Sequence, residues 1–343
     1  MPSPERSALT EAFLARAGWS GAARVVLAGD ASNRRYDRLT DPATGARAVL
    51  MDAPPEKGED VRPFVRIARH LRGLGLSAPE ILAEDPERGF LLLEDLGDAL
   101  FARVIPAAPE LELPLYECAI DLLSELHRHP APADLPAYDP ATMAPLGALP
   151  FDWYLPAVAE APEGEKEAFQ AELETILARN CGEATVLAQR DYHAENLIWL
   201  PERQGIARVG LLDFQDGMAG HPAYDLVSLL EDARRDVTPA LQKAMIARYI
   251  AATGVEREAF LTAYACLGAQ RNLRILGVFA RLCIRDGKPH YVDLMPRVWG
   301  HLRHDLSHPA LAGLRARVER LIPAPDATIR ERIKARCPIA PKP

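Results

Sequence analysis

Two short stretches carry side chains that could do chemistry together: Gln189-Arg190-Asp191-Tyr192-His193-Ala194-Glu195-Asn196 and, past an apolar run, Leu211-Leu212-Asp213-Phe214-Gln215-Asp216. Asp191, Asn196 and Asp213 offer two carboxylates and an amide. Magnesium takes hard oxygen ligands in near-octahedral geometry and keeps several waters, so few protein groups hold it. Asn196 and Asp213 suit that role, which leaves Asp191 to face a substrate. The run Arg208-Val209-Gly210-Leu211-Leu212 reads as a short buried strand whose end delivers Asp213 towards the loop carrying Asp191 and Asn196. The plainer reading makes all three residues turn formers, as Asp and Asn commonly are.

The elements needed to position these residues are legible as a strand-rich beginning and a larger helical remainder. A short amphipathic helix is expected over 5–18, then strands at Ala23–Leu27, Tyr36–Leu39 and Arg47–Asp52, joined by turns at Ala28–Asn33 and Asp41–Gly45. A helix over 59–73 ends at glycine, and a further hairpin closes with Gly89–Asp95. Glu94-Asp95-Leu96-Gly97 reads as the connector, dividing the chain into lobes 1–95 and 96–343. Beyond it, Leu115, Cys118, Ala119, Leu122, Leu123 and Leu126 recur at helical spacing. The proline-rich stretch Pro130–Pro150 reads as a loop or lid, and further helices are expected at 164–180, 222–235, 238–252, 256–286 and 308–321. Few strands followed by many helices give a two-lobed α+β arrangement.

Composition narrows the function classes. At 343 residues the chain can bury a large core in two domains or lobes. Lys plus Arg total 40 against 48 Asp plus Glu, a net charge of −8, which gives no basic footprint for nucleic acid. No apolar run approaches the roughly 20 residues of a membrane helix, and Met1-Pro2-Ser3-Pro4-Glu5-Arg6 lacks an apolar signal core, so a cytoplasmic protein is expected. Cys118, Cys181, Cys266, Cys283 and Cys337 form no Cys-x-x-Cys pair and read as reduced, mostly buried thiols. No obligatory protein partner is evident.

The pattern Arg-Asp-x-x-x-x-Asn, followed by an apolar strand ending in Asp-Phe, resembles the catalytic and metal-binding loops of the protein-kinase superfamily. Together with His221-Pro222-Ala223-Tyr224-Asp225-Leu226 it resembles the aminoglycoside phosphotransferase (choline kinase-like) family over roughly residues 20–290. Gly29-Asp30-Ala31-Ser32, Leu50-Met51-Asp52-Ala53-Pro54-Pro55 and Gly210–Asp216 are similar, more narrowly, to the N-acetylmuramate/N-acetylglucosamine anomeric kinases of peptidoglycan recycling. The resemblance implies a protein-kinase-like two-lobed fold and the use of ATP and Mg2+ to phosphorylate the anomeric hydroxyl of a small amino sugar. It makes Asp191 the catalytic base, Asn196 and Asp213 the magnesium ligands, and Asp225 a structural support of the catalytic loop. It also places the Gly29–Arg35 turn over the ATP phosphates, with Ser32, Asn33, Arg34 and Arg35 as candidate contacts, and gives the backbone at Glu94 and Leu96 to the adenine ring. Read alone, that turn is equally an ordinary hairpin loop.

The sequence departs from the family pattern where a strand Lys normally pairs with a helix Glu: those positions hold Met51 and Phe64. A joint loss is sensible, since either charge left alone and buried would be uncompensated. Arg34, Arg35 and Lys57 are the candidate substitutes, the alternative being a poor nucleotide binder acting as a binding module. Gln189-Arg190 replaces the family's His-Gly, and Gln215 stands where protein kinases have Gly. On the acceptor side, Arg271, Arg274, Arg281 and Arg285 form one stripe on an otherwise apolar helix, and such forks suit an acceptor carboxylate. Pairing with Asp232 or Asp236 is the plainer alternative. Trp153, within Phe151-Asp152-Trp153-Tyr154, is either a sugar platform or core. A different class remains open, a two-metal hydrolase using His193 and His221, as do other hydroxylated acceptors such as an aminoglycoside, choline or homoserine.

Overall fold

The computed structural model describes residues 4–27, 33–160 and 162–338. Its chain divides into two compact units, one of Met1–Leu122 with Glu195–Gly217, the other of Leu123–Ala194 with Met218–Pro343. The first unit begins with α1 (Pro4–Arg16), followed by β1 (Ala23–Val26), β2 (Arg35–Thr40) and β3 (Arg47–Asp52). Then come α2 (Arg62–Gly73), β4 (Ile81–Asp85) and β5 (Phe90–Glu94). The strands form one antiparallel sheet in the order β1-β2-β3-β5-β4. Pleating sorts β3 into two faces. Ala48 and Leu50 join Leu39, Phe90 and Leu92 in a core against Phe13 and Leu14 of α1. Val49 and Met51 therefore share the opposite face, where Met51 pairs in register with Tyr36 and Leu91.

After β5 the chain enters α3 (Phe101–Ala107) and α4 (Glu112–Leu126). The second unit adds α5 (Pro140–Gly147), α6 (Leu149–Trp153), α7 (Leu155–Val158), α8 (Glu165–Asn180) and β6 (Val186–Ala188). The stretch Pro130–Pro150 is thus not simply a loop. Pro140 opens α5 and Pro150 lies in the first turn of α6, where a missing N–H costs nothing, and the Asp139 carboxylate caps α5 by accepting the Thr142 N–H at 2.9 Å.

The chain then contributes β7 (Leu197–Trp199) and β8 (Val209–Leu211) to the first unit as an antiparallel ribbon, anchored by the Leu211 N–H donating to the Ser77 carbonyl at 3.0 Å. Back in the second unit, β9 (Met218–Gly220) pairs with β6. It is followed by α9 (Ala223–Leu230), α10 (Pro239–Thr253), α11 (Arg257–Ile284), α12 (Met295–Asp305), α13 (Ala312–Leu321) and α14 (Ala327–Lys334). The expected helix 222–235 stops at Leu230, and α13 begins later than expected, behind a 3-10 turn at Pro309–Leu311.

The centre of the second unit is α11, 28 residues long, which packs against α5, α6, α8, α9 and α12. Its start is fixed by the Glu256 carboxylate, which accepts the Glu258 and Ala259 N–H groups at 2.9 and 2.7 Å. The close approach of α6 requires a glycine at 277, because a Cβ there would stand 2.5 Å from the Leu149 Cβ.

Candidate active site

In the first unit, β8 ends at Leu211, two residues before Asp213, and so sets where that carboxylate stands. Asp213 adopts the left-handed conformation, φ 56°, which a non-glycine residue holds only when its surroundings demand it. Two contacts do so. Gln215 Nε2 donates to Asp213 Oδ1 at 2.6 Å and Asn196 Nδ2 donates to Oδ2 at 3.4 Å. Gln215, standing where protein kinases have Gly, is thus an orienting partner of Asp213. Beneath this loop Phe214 is stacked on Phe64 of α2, with ring centroids 4.8 Å apart.

Asn196 and Asp213 border a cavity of about 330 Å³ whose apolar walls come from Leu27, Val49, Leu93, Leu96, Ile198 and Leu212. That size falls in the range of small-molecule sites. Glu94 and Leu96 also line it. The Glu94 side chain is engaged by Arg203 and by the Glu80 N–H, and Leu96 packs on Ile198 and Leu200. The segment Asp95–Asp98 that follows is braced by a residue the sequence does not single out. Arg38, in mid-strand on β2, donates to Asp95 Oδ1 at 3.0 Å and to Asp98 Oδ2 at 2.7 Å, while Asp95 Oδ1 also accepts the Gly97 N–H. The hydrogen bond to Asp98 is the main reason the Arg38 cation is held above its ordinary pKa. Only its alternation with Tyr36 on one strand face could have flagged it.

Of the phosphate-side candidates, Gly29 and Ser32 lie outside the described residues. Asn33 donates its N–H to Glu59 Oε1 at 2.9 Å and its side-chain amide to the Lys57 carbonyl. Arg34 Nε donates to Glu59 Oε2 at 2.8 Å, and Arg35 Nε donates to Asp37 at 2.9 Å.

In the second unit the loop after β6 is braced from α9. Asp225 is buried, and its Oδ2 and Oδ1 accept the Gln189 and Arg190 N–H groups at 2.6 and 2.9 Å. Arg190 is left-handed, φ 74°, with its guanidinium 5.0 Å over the Tyr138 ring. Burial pushes the Asp225 carboxyl up to about 7 against the pull of those two donors. For the neighbouring Asp191, burial also opposes the charge, but Arg274, His193, Arg271 and Arg190 outweigh it and hold the carboxyl below its usual range. At neutral pH, where burial leaves His193 uncharged, the three arginines supply this effect, and a carboxylate kept ionised in this way can accept a proton.

Two of those cations come from the α11 stripe. Arg271, only 4 % exposed, donates from Nη2 to Ser228 Oγ at 2.9 Å, and Ser228 Oγ donates in turn to the Arg190 carbonyl at 3.4 Å. Arg274 Nη1 donates to Tyr224 Oη at 3.3 Å, and that hydroxyl meets Tyr138 Oη at 3.2 Å. Arg281 lies further along α11, its cation disfavoured by burial and by Arg285, which is paired with Asp286. Asp236 is taken by Arg297 instead, and Asp232 caps the Arg234 N–H. Trp153 is half-buried on α6 between two core residues, Phe151 and Tyr154. His193 Nε2 faces Arg234 at 3.4 Å and His221 Nδ1 accepts the Ala223 N–H, and burial lowers each imidazole to about 4.

Residues 24–261 match the family described as Phosphotransferase enzyme family. An N-acetylmuramate/N-acetylglucosamine kinase of Caulobacter vibrioides is 42 % identical over 363 aligned positions, covering 94 % of this chain and 98 % of that protein. Among solved structures, a microcompartment-associated aminopropanol kinase superposes with a TM-score of 0.62 at 17 % identity, covering 92 % of this chain and 99 % of its own. An ADP-bound aminoglycoside phosphotransferase does so with a TM-score of 0.59 at 12 % identity over 89 % and 99 %. These likenesses show the expected protein-kinase-like α+β fold.

Proposed function

Since this chain belongs to the phosphotransferase enzyme family, we propose that it transfers the γ-phosphoryl group of ATP to the anomeric hydroxyl of N-acetylmuramate and N-acetylglucosamine, giving the sugar 1-phosphates. Residues 1–95 serve nucleotide binding, and 96–343 serve catalysis and acceptor binding. The observation that carries the reading is the meeting of Asn196 and Asp213, 3.4 Å apart, at a cavity bordered by β3 and the Glu94–Gly97 connector. The adenine ring would enter between the apolar walls and meet the connector backbone, and the ADP-bound neighbour of the same fold supports a nucleotide there. The donor set, one carboxylate and one amide oxygen, fits magnesium, which Asn196 and Asp213 would hold and which would offset charge on the phosphates.

Asp191 accepts a hydrogen bond from the C1 hydroxyl, orients it for attack and takes its proton late in the transfer. The cations that keep Asp191 ionised prepare it for this, and the Asp225 brace fixes the loop that carries it. Arg274, whose nearest hydrogen-bond partner is a neutral tyrosine, suits the lactyl carboxylate of N-acetylmuramate, with Arg271, Arg281 and Trp153 as further acceptor contacts. The 42 % identical kinase supports the choice of acceptor.

The test is coupled ADP release with magnesium-ATP against N-acetylmuramate, N-acetylglucosamine, kanamycin, choline and homoserine. Turnover confined to the amino sugars is expected. Turnover on kanamycin, choline or homoserine alone would replace the acceptor, and no turnover with no ATP binding would refute the kinase reading.

A further inference from the structure

The sites of the usual Lys–Glu pair are closed to charge in this protein. Met51 is 1 % exposed on the cavity-side face of β3, and Phe64 is committed to its stack on Phe214. A nucleotide triphosphate beside Asp213 and Asp216 would bring further negative charge to an acidic corner, so a cation has to come from another element. Among the described residues near the start of β2, three are candidates, and they differ in setting. Lys57 is exposed, and Arg35 is directed along its own strand to Asp37 with 38 % of its side chain exposed. Arg34 is instead enclosed: its side chain is 13 % exposed and that of its partner Glu59 is 12 % exposed.

Glu59 is itself held in place, since one oxygen takes the Arg34 Nε–H at 2.8 Å and the other takes the Asn33 N–H at 2.9 Å. The clamp thereby fixes Asn33 and Arg34, the two residues that lead into β2. Burial disfavours the Arg34 charge, yet Tyr36, Glu59 and Asp216 together more than offset it. Asp216 belongs to the loop that carries Asp213, so the guanidinium lies within electrostatic reach of the metal-binding segment. A buried ion pair is weak evidence of stabilisation for its own sake. One set within electrostatic reach of the Asp213–Asp216 loop has a functional use.

We propose that Arg34, clamped by Glu59, is the phosphate-neutralising cation of this protein: the cation–carboxylate pair has moved from the β3 and α2 positions to the start of β2 and the segment before α2. The ligand class is a nucleoside di- or triphosphate, bound through its phosphates. This rests on the kinase reading above, but its test needs no acceptor and no turnover.

Calorimetric titration of the full chain with magnesium-ADP and, separately, with adenosine compares wild type with Arg34→Met, Arg34→Lys and Glu59→Gln. Arg34→Met is expected to weaken ADP about 10- to 100-fold, the scale of a lost charge-assisted hydrogen bond, and to leave adenosine unchanged. Arg34→Lys should recover part of the loss, because it keeps the charge and loses the fork. Glu59→Gln should weaken ADP less than Arg34→Met. Adenosine binding confirms that each variant's nucleotide pocket is folded, and Glu59→Gln carries the test if Arg34→Met does not fold. ADP affinity within twofold of wild type in Arg34→Met, or equal losses of ADP and adenosine, would overturn the assignment. No ADP binding by wild type would overturn both the assignment and the reading it rests on.

Discussion

Replacing Phe64 by Ala removes the ring beneath the Asp213 loop, and its cost follows from burial. Phe64 is 5 % exposed and Phe214 is fully buried against it. A phenylalanine buries roughly 150–250 Å², which at about 25 cal/mol per Å² corresponds to about 4–6 kcal/mol. Core Phe→Ala changes cost about 3–5 kcal/mol, and a stacked pair accounts for about 0.5–1.5 kcal/mol of its own. Phe64→Ala should therefore lower stability by about 4 kcal/mol, and Phe64→Leu, which keeps most of the volume, by less than about 1.5 kcal/mol. The loss has a functional side. Asp213 directly precedes Phe214 and is held at φ 56°, a conformation that costs about 1–3 kcal/mol where nothing enforces it. Without the stack only the Gln215 and Asn196 contacts hold Asp213 at that angle, and the magnesium concentration for half-maximal activity should rise about 10-fold, equivalent to about 1.4 kcal/mol. Urea unfolding and a magnesium titration of activity measure the two effects. A Phe64→Ala cost below about 1 kcal/mol, or an unchanged magnesium dependence, would refute the reasoning.

The remaining predictions concern the second unit. Burial pushes Asp225 up to about 7, whereas an unfolded carboxyl titrates near ~3.9. The folded state therefore binds this proton more tightly, and the stability it contributes is complete below about 4 and lost as pH rises through about 7. In urea midpoints measured across that window Asp225→Asn should flatten the fall without abolishing it, because Glu231 is also pushed up to about 7 by burial. Arg271→Met removes one of the cations that hold Asp191 down, so the acid limb of the kcat/KM profile should move to higher pH; an unmoved limb would contradict it. Gly277→Ala would set a Cβ 2.5 Å from the Leu149 Cβ and 2.6 Å from its carbonyl carbon, and overpacking of this kind should destabilise by about 1–3 kcal/mol, read as a lowered Tm.

Much of the architecture is legible because its signals are local. The apolar run before Asp213 appears as β8, and the strand expected at Arg47–Asp52 appears as β3, with Met51 on the same face as the cavity-lining Val49. The helix periodicity that marks α11 also places Arg271 and Arg274 in a single stripe. What stays hidden depends on partners distant in sequence. Glu59 matters through Arg34, Arg38 through Asp95 and Asp98, and Ser228 through both Arg271 and the Arg190 carbonyl. None of these has a spacing that separates it from an ordinary surface Glu, Arg or Ser. Pro130–Pro150 misleads for another reason, since a proline that ends one helix is equally suited to open the next, and Asp139 with Pro140 does so here. The carboxylates Glu231 and Asp305 likewise sit in the core, each accepting a hydrogen bond from the Asn272 amide, which is distant from both in sequence.

Asp191 is proposed to direct phosphoryl transfer to the anomeric hydroxyl of an amino sugar. The most direct test is phosphorus–proton correlation NMR on the product formed from magnesium-ATP and N-acetylmuramate by wild type and by Asp191→Asn. A phosphate coupled to the H1 proton of the sugar is expected, formed by wild type and nearly absent with Asp191→Asn, which should still bind ATP. A phosphate coupled to protons elsewhere on the ring, or the same product formed at a similar rate by Asp191→Asn, would contradict it.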